Sequence, residues 1–212
     1  MSFTTAWALK LLNVYLAFRY RASFHSVNVD VSAVQGKVVS DQSVLFIANH
    51  SSWWDGFFVF EVFKKLKLKK EFKIVMLESE LKKFPFFRLC GAVGLIPKNL
   101  QHNEKIFKEL KNYCVCFFPQ GHLTPQNERP LIFRAGINDL IRELHPVQII
   151  VIGVHIEPLH FMKPTALIKA SYFAASDGDI VDRAALAVAT EKNLDQISHE
   201  WTKQIFLTRA KP

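Results

Sequence analysis

Short apolar runs and helically spaced apolar stripes alternate along most of this chain. Ser43 to Ala48 and Phe72 to Leu77 are continuous apolar stretches between polar flanks, the pattern of strands covered on both faces. Val27, Val29 and Val31 alternate with polar neighbours and mark an earlier strand. Val93 to Ile96 is a brief strand that Pro97 stops, and Cys114 to Phe118 runs into a turn at Pro119-Gln120-Gly121. Val147 to Ile156 and Ala166 to Tyr172 complete the set. Between these lie helical patterns over Phe57 to Leu68, Ser79 to Leu89, Leu100 to Asn112, Gly136 to Leu144 and Ala184 to Leu207. Ile106, Phe107 and Leu110 share one side of the third, and Leu194, Ile197, Trp201 and Ile205 one side of the last. Pro85 should interrupt the second, because proline removes a backbone donor and clashes with the preceding turn. Strands and helices in alternation predict an α/β fold with a mixed, mostly parallel sheet flanked by helices.

The first residues follow a different pattern. Within Phe3 to Tyr20, Trp7, Leu11, Leu12, Val14, Tyr15, Leu16 and Phe18 cover a broad face, while Lys10, Asn13 and Arg21 fall on one narrow stripe. No run of eighteen uninterrupted apolar residues exists, so a spanning helix is not expected. The segment lacks a basic start and a small-residue cleavage site and does not read as a secretory signal. An aromatic, apolar helix with cationic edges suits the plane of a bilayer interface. Residues 1–22 therefore read as an interfacial, membrane-contacting helix and residues 23–212 as one domain; packing of that helix on the domain is the alternative.

Charge adds to this picture. The formal net charge is +8, which favours anionic partners. Lys64, Lys65, Lys67, Lys69, Lys70 and Lys73 crowd the end of one helix and the strand after it, either as a solvated face or as a dock for anionic headgroups. No nucleic-acid motif accompanies them, so nucleic acid is not an expected partner. Cys90, Cys114 and Cys116 have no metal or disulfide spacing and read as buried, reduced thiols of a cytoplasmic protein. His25, His102, His145, His155, His160 and His199 likewise lack metal-ligand spacing, and no metal is expected.

The candidate chemistry lies where the strand ending at Ala48 gives way to a helix: Asn49-His50-Ser51-Ser52-Trp53-Trp54-Asp55-Gly56. A carboxylate close to an imidazole accepts the Nδ1 proton, fixes the tautomer and leaves Nε2 as a base. Such a pair removes a proton from a hydroxyl without itself becoming a nucleophile. Ser51 and Ser52 are expected to cap the helix that follows.

Asn49-His50 and Asp55 resemble the first block, Asn-His-x-x-x-x-Asp, of the glycerolipid acyltransferase family, which includes the lysophosphatidic acid acyltransferases. Phe118-Pro119-Gln120-Gly121 resembles its third block, Phe-Pro-Glu-Gly. Arg129-Pro130-Leu131-Ile132-Phe133-Arg134-Ala135-Gly136 is similar to the Pro-Phe-x-x-Gly segment that follows. Leu81 to Gly91 is similar to the helix before the second block, and Gly94-Leu95-Ile96-Pro97-Lys98 to a shortened form of that block. Ile152 to Ile156 sits where the family has a Val-Pro-Val strand. The likeness covers residues 25–175.

The resemblance implies transfer of a fatty acyl group from acyl-CoA or acyl-carrier protein, as co-substrate rather than cofactor, to a hydroxyl of a lysophospholipid such as 1-acylglycerol-3-phosphate. His50 would be the general base and Asp55 its orienting partner. Backbone N–H groups near Gly94 to Ile96 or near Gly121 are candidates for the oxyanion. Lys98, Gln120, Gly121, His122, Arg129 and Arg134 are the expected substrate-binding residues. Three departures bear on the acceptor. Gln120 replaces a glutamate, so an anionic acceptor of hydrogen bonds becomes a neutral amide. His122 replaces a small hydroxyl residue and either binds acceptor or competes as base. Lys98 replaces an arginine and loses the bidentate fork that suits phosphate, leaving Arg129 and Arg134 as candidate cations. A glycolipid or carotenoid glycoside is the alternative acceptor, and a catalytically silent lipid-binding protein is the rival of another class. Either way, the expected setting is the cytoplasmic face of a membrane, peripheral or monotopic.

Overall fold

The structure, a computed structural model, describes residues 3–39, 41–159, 161–174 and 181–209, with side chains between 6 and 200. His160 lies outside the described residues, as do the side chains of Trp201 and Ile205. Seven strands form one sheet: β1 (Ser26–Asp30), β2 (Ser43–Ala48), β3 (Phe72–Leu77), β4 (Ala92–Leu95), β5 (Cys114–Phe117), β6 (Val147–Glu157) and β7 (Thr165–Phe173). Their order across the sheet is β1-β7-β6-β2-β5-β3-β4. Every neighbouring pair is parallel except β6 and β7.

The helices are α1 (Phe3–Ser23), α2 (Asp55–Leu66), α3 (Glu78–Lys83), α4 (Phe86–Leu89), α5 (Leu100–Glu109), α6 (Gly136–Leu144) and α7 (Arg183–Arg209). They cover both faces of the sheet, and the alternation within β2 shows how. Val44, Phe46 and Ala48 join a core with Leu12 and Leu16 of α1 and Phe58 of α2. Leu45 and Ile47 point the other way and join Phe107 of α5, Leu140 of α6 and Leu194 of α7. Successive strand side chains face opposite sides, so a continuously apolar strand is the one that needs helices on both.

Element ends differ from the sequence pattern where local chemistry intervenes. Pro85 splits the second helical stretch, ending α3 and standing at the N-cap of α4 with φ −62°. Lys67 adopts a left-handed φ of 52° and stops α2 at Leu66, short of the expected Leu68. The helix also begins earlier than expected, at Asp55, and neither serine caps it through a side chain. Instead the carboxylate of Asp55 reaches back over the preceding loop, as described below.

α1 has apolar surface on two sides. Ala8, Leu12 and Leu16, spaced four apart, are buried against the domain, while Trp7, Leu11, Val14, Tyr15 and Phe18 are exposed. Asn13 in the narrow polar stripe accepts a hydrogen bond from Lys64 Nζ at 2.8 Å. No helix among the described residues is long and apolar enough to cross a membrane.

Where the chain leaves the sheet after β2, a side chain continues the ladder. Asn49, buried, donates from Nδ2 to the Val154 carbonyl at 2.9 Å, and its Oδ1 accepts from the Val154 N–H at 2.8 Å. The backbone of His50 is thereby freed to turn away from β6 with no polar group of Val154 left unpaired. Replacing Asn49 by alanine strands both groups in the interior. Urea unfolding of the Asn49→Ala protein is expected to show a loss of about 2–4 kcal/mol, against ~0.5 for a surface change. A loss no larger than the surface value would show that the ladder closes without this side chain.

Candidate active site

The loop from Asn49 to Trp54 leaves the C-terminal end of β2, the fourth of the seven strands across the sheet, and such strand ends are where open α/β sheets bind their ligands. Asp55 opens α2 and is fully buried, while the His50 side chain keeps 25% of its surface accessible. His50 Nδ1 lies 3.0 Å from Asp55 Oδ2. The same oxygen accepts the N–H groups of Ser51 at 2.7 Å and Ser52 at 2.8 Å, and Oδ1 accepts the Ser52 hydroxyl at 2.5 Å. One carboxylate thus binds the imidazole and folds the loop that carries it. With Nδ1 turned to the carboxylate, Nε2 is the ring nitrogen available to a substrate. The ring of Phe118 stacks on the imidazole at 4.3 Å between centroids and 20° between planes.

His50 stands in the wall of a cavity of about 470 Å³. Gly121, His122 and Leu123 join its lining, which is otherwise chiefly apolar, from β3, α2 and, at α1, Leu9 and Leu12. Gly56, next after the buried aspartate, lets the first turn of α2 close on β3: a Cβ there would lie 2.8 Å from Ile74 Cδ1. Cys90 also faces this cavity. Among the described residues, no three His, Cys, Asp or Glu side chains gather as a metal site.

The other candidate residues occupy different positions. Gly121 has φ +73°, and a Cβ would stand 3.1 Å from Arg134 Cδ, so glycine allows both the turn and the arginine laid across it. Arg134 Nη2 lies 3.1 Å from His122 Nδ1, which is also 3.0 Å from the Gln120 carbonyl. Gln120 sits behind the cavity wall, 3% exposed, with both ends of its amide bonded inside the protein. The amide expected to meet an acceptor is therefore turned into the fold. Arg129 is tied to the carbonyls of Gln126 and Glu128, and Lys98 is exposed with a left-handed φ of 65°; neither lines the cavity. Two of the N–H groups considered for the oxyanion are engaged, Gly121 by the Phe118 carbonyl and Ile96 by Asn103 Oδ1.

Sequence reasoning assigned no role to Thr124, Phe118 or the side chain of Asn49, all of which hold or touch His50 or its loop. Their signal was adjacency to the two blocks, but their partners lie far away in the chain. Part of the lysine run bonds within the protein: Lys64 pairs with Glu61 and Asn13, Lys65 reaches the Val29 carbonyl, Lys70 the Asn112 carbonyl and Lys73 Glu71, while Lys65, Lys67 and Lys69 stay exposed.

A family described as Acyltransferase matches residues 31–161, more than half of the chain. No curated protein matches the chain. No solved structure matches it either.

The three thiols of the chain are held as neutral groups. Burial pushes Cys90 up to about 11 and Cys114 up to about 12, and Cys116 well above the usual thiol range, with the Asp55 charge adding to burial there. An unfolded thiol ionises near ~8.5. Folded values above that mean the thiols contribute stability intact below the unfolded range, and lost as pH climbs through the raised values. Stability is thus expected to fall between pH 9 and 11 more steeply in the wild type than in a Cys90→Ala, Cys114→Ala variant. Iodoacetamide at pH 8 should label the cysteines only after unfolding in urea; labelling of Cys116 in the native protein would contradict this.

Proposed function

Because the chain belongs to the acyltransferase family of the glycerolipid type, we propose that it moves a fatty acyl group from an acyl-CoA or acyl-carrier-protein thioester to the hydroxyl of a lysophospholipid such as 1-acylglycerol-3-phosphate. The observation that carries this reading is the 3.0 Å bond between His50 and the buried Asp55 at the wall of an apolar cavity. The acyl chain occupies that cavity and brings its thioester to the histidine end. His50 Nε2 takes the proton of the acceptor hydroxyl while the oxygen attacks the thioester carbonyl. The tetrahedral intermediate collapses, the C–S bond breaks, and the departing thiolate takes the proton from the imidazolium. Ester and free thiol leave, and the histidine is neutral again. No acyl-enzyme forms, which agrees with the neutral state of Cys90, the one thiol in the lining of the cavity.

The acceptor's polar end meets the rim at His122, and Arg134, which does not itself line the cavity, stands behind that histidine with its guanidinium 3.1 Å from Nδ1. Since none of Lys98, Arg129 and Arg134 lines the cavity, an acceptor with a neutral sugar head, a glycolipid or carotenoid glycoside, is the second reading.

The acceptor and the product of such a reaction are both lipids, and the outer face of α1 suits the surface on which they reside. At 100° per residue, Lys10 and Arg21 border one edge of the exposed stripe of Trp7, Leu11, Val14, Tyr15 and Phe18, and Arg19 borders the other. Apolar side chains enter the headgroup boundary and flanking cations meet anionic lipid, at about 1 kcal/mol per cation. On this reading the protein works as a peripheral or monotopic one on the cytoplasmic leaflet.

His50→Ala is expected to lower thiol release from palmitoyl-CoA in the presence of lysophosphatidic acid by ~10²- to 10⁴-fold with unchanged unfolding. Turnover equal to the wild type would remove the base, and absence of release by the wild type with every lysophospholipid and lipid glycoside offered would favour the silent lipid-binding rival. Leu11→Glu with Phe18→Glu, both at exposed positions, is expected to reduce sedimentation with phosphatidylglycerol-containing vesicles at least tenfold while the melting temperature stays put. Full retention on the vesicles would rule out α1 as the contact.

A further inference from the structure

We infer that Gln120 and Thr124 form a positioning frame for the catalytic histidine, acting through its backbone and not through the substrate; this inference rests on His50 being the base. Gln120 Oε1 accepts the His50 N–H at 2.6 Å. Gln120 Nε2 donates to Thr124 Oγ1 at 2.5 Å. The Thr124 N–H then donates to the His50 carbonyl at 2.9 Å, and the Thr124 hydroxyl lies 3.5 Å from the same oxygen. A closed ring of hydrogen bonds therefore holds both main-chain polar groups of His50. Asp55 fixes the rotation of the ring and Phe118 its plane; the frame fixes where the Cα stands relative to the cavity.

The amide suits this ring because it offers opposite polarity at its two ends. One end accepts from His50 and the other donates to Thr124, so the threonine hydrogen remains directed at the His50 carbonyl. A carboxylate in this place has only acceptors. It still holds the His50 N–H, but it draws the threonine hydrogen toward itself and breaks the ring's direction. The interior position of Gln120, 3% exposed, keeps water from replacing either bond. Misplacement of a reacting group by ~1 Å is enough to lose ~10²-fold in rate, which sets the scale of the effect.

The test is steady-state thiol release by the full chain with palmitoyl-CoA and the acceptor it turns over best. Thr124→Val keeps the side-chain shape and removes the hydroxyl, and Gln120→Met keeps the length and removes both bonds. Each is expected to lower kcat tenfold or more while KM for donor and acceptor stays within twofold. Thr124→Ser restores the hydroxyl and is expected to recover kcat to within threefold. Gln120→Glu is expected to fall between wild type and Gln120→Met in kcat, with no change of acceptor preference. An unchanged kcat in Thr124→Val, a failed rescue by serine, or an acceptor KM that rises while kcat holds would overturn the frame. If Gln120→Met does not fold, the valine and serine pair at the exposed-side loop decides alone. Should His50→Ala retain full turnover, the reading of the base fails; if His50→Ala is inactive and Thr124→Val is fully active, only the frame fails.

Discussion

A carboxylate without solvent contact, holding four donors of the loop in front of it, is the interaction on which the rest of this site depends. Asp55 binds the imidazole of His50, the main-chain N–H groups of Ser51 and Ser52, and the Ser52 hydroxyl. The loop between strand and helix would otherwise leave these donors unpaired beside a packed core, at about 1–3 kcal/mol for each buried group. The geometry of the loop and the orientation of the imidazole are therefore one solution to one problem. A substitution at Asp55 would change both together, and a kinetic effect there does not separate chemistry from local folding.

The parallel sheet explains why this loop faces a cavity. β2, β5 and β3 run side by side in the same direction, so the loop after β2 and the turn after β5 meet at one edge. α2 leaves that edge with Gly56 against Ile74, and the apolar side chains of β3, α2 and α1 line the space beneath. The walls of that space are strands and helices whose positions are set by the core, so the imidazole faces a cavity of defined shape.

Much of the architecture was legible because apolar spacing states it directly. Ser43–Ala48, Phe72–Leu77 and Gly136–Leu144 have the boundaries that the pattern predicts. The ends governed by single residues were harder: nothing in the composition of Lys64 to Lys70 says that Lys67 takes a left-handed conformation. Within the site, the proximity of His50 to Asp55 is readable because both lie on one short loop. The use of Gln120 is not readable, since a glutamine offers the same groups to a substrate as to a backbone and its partners here are seventy positions away or across a turn. The two-sided character of α1 was half visible, because periodicity separates polar from apolar positions but does not say which apolar positions meet the protein.

The clamps on His50 come from residues synthesised long after it. Gln120 and Thr124 follow by some seventy positions, and Val154, which holds Asn49, by 105 from that asparagine. While the chain is being made N-terminus first, the segment carrying the histidine exists without the strands that brace it. The ladder that Asn49 continues exists only once β6 lies beside β2. A chain that ends before that strand would thus hold the chemical groups of the site without the Val154 partner that anchors Asn49 beside the histidine.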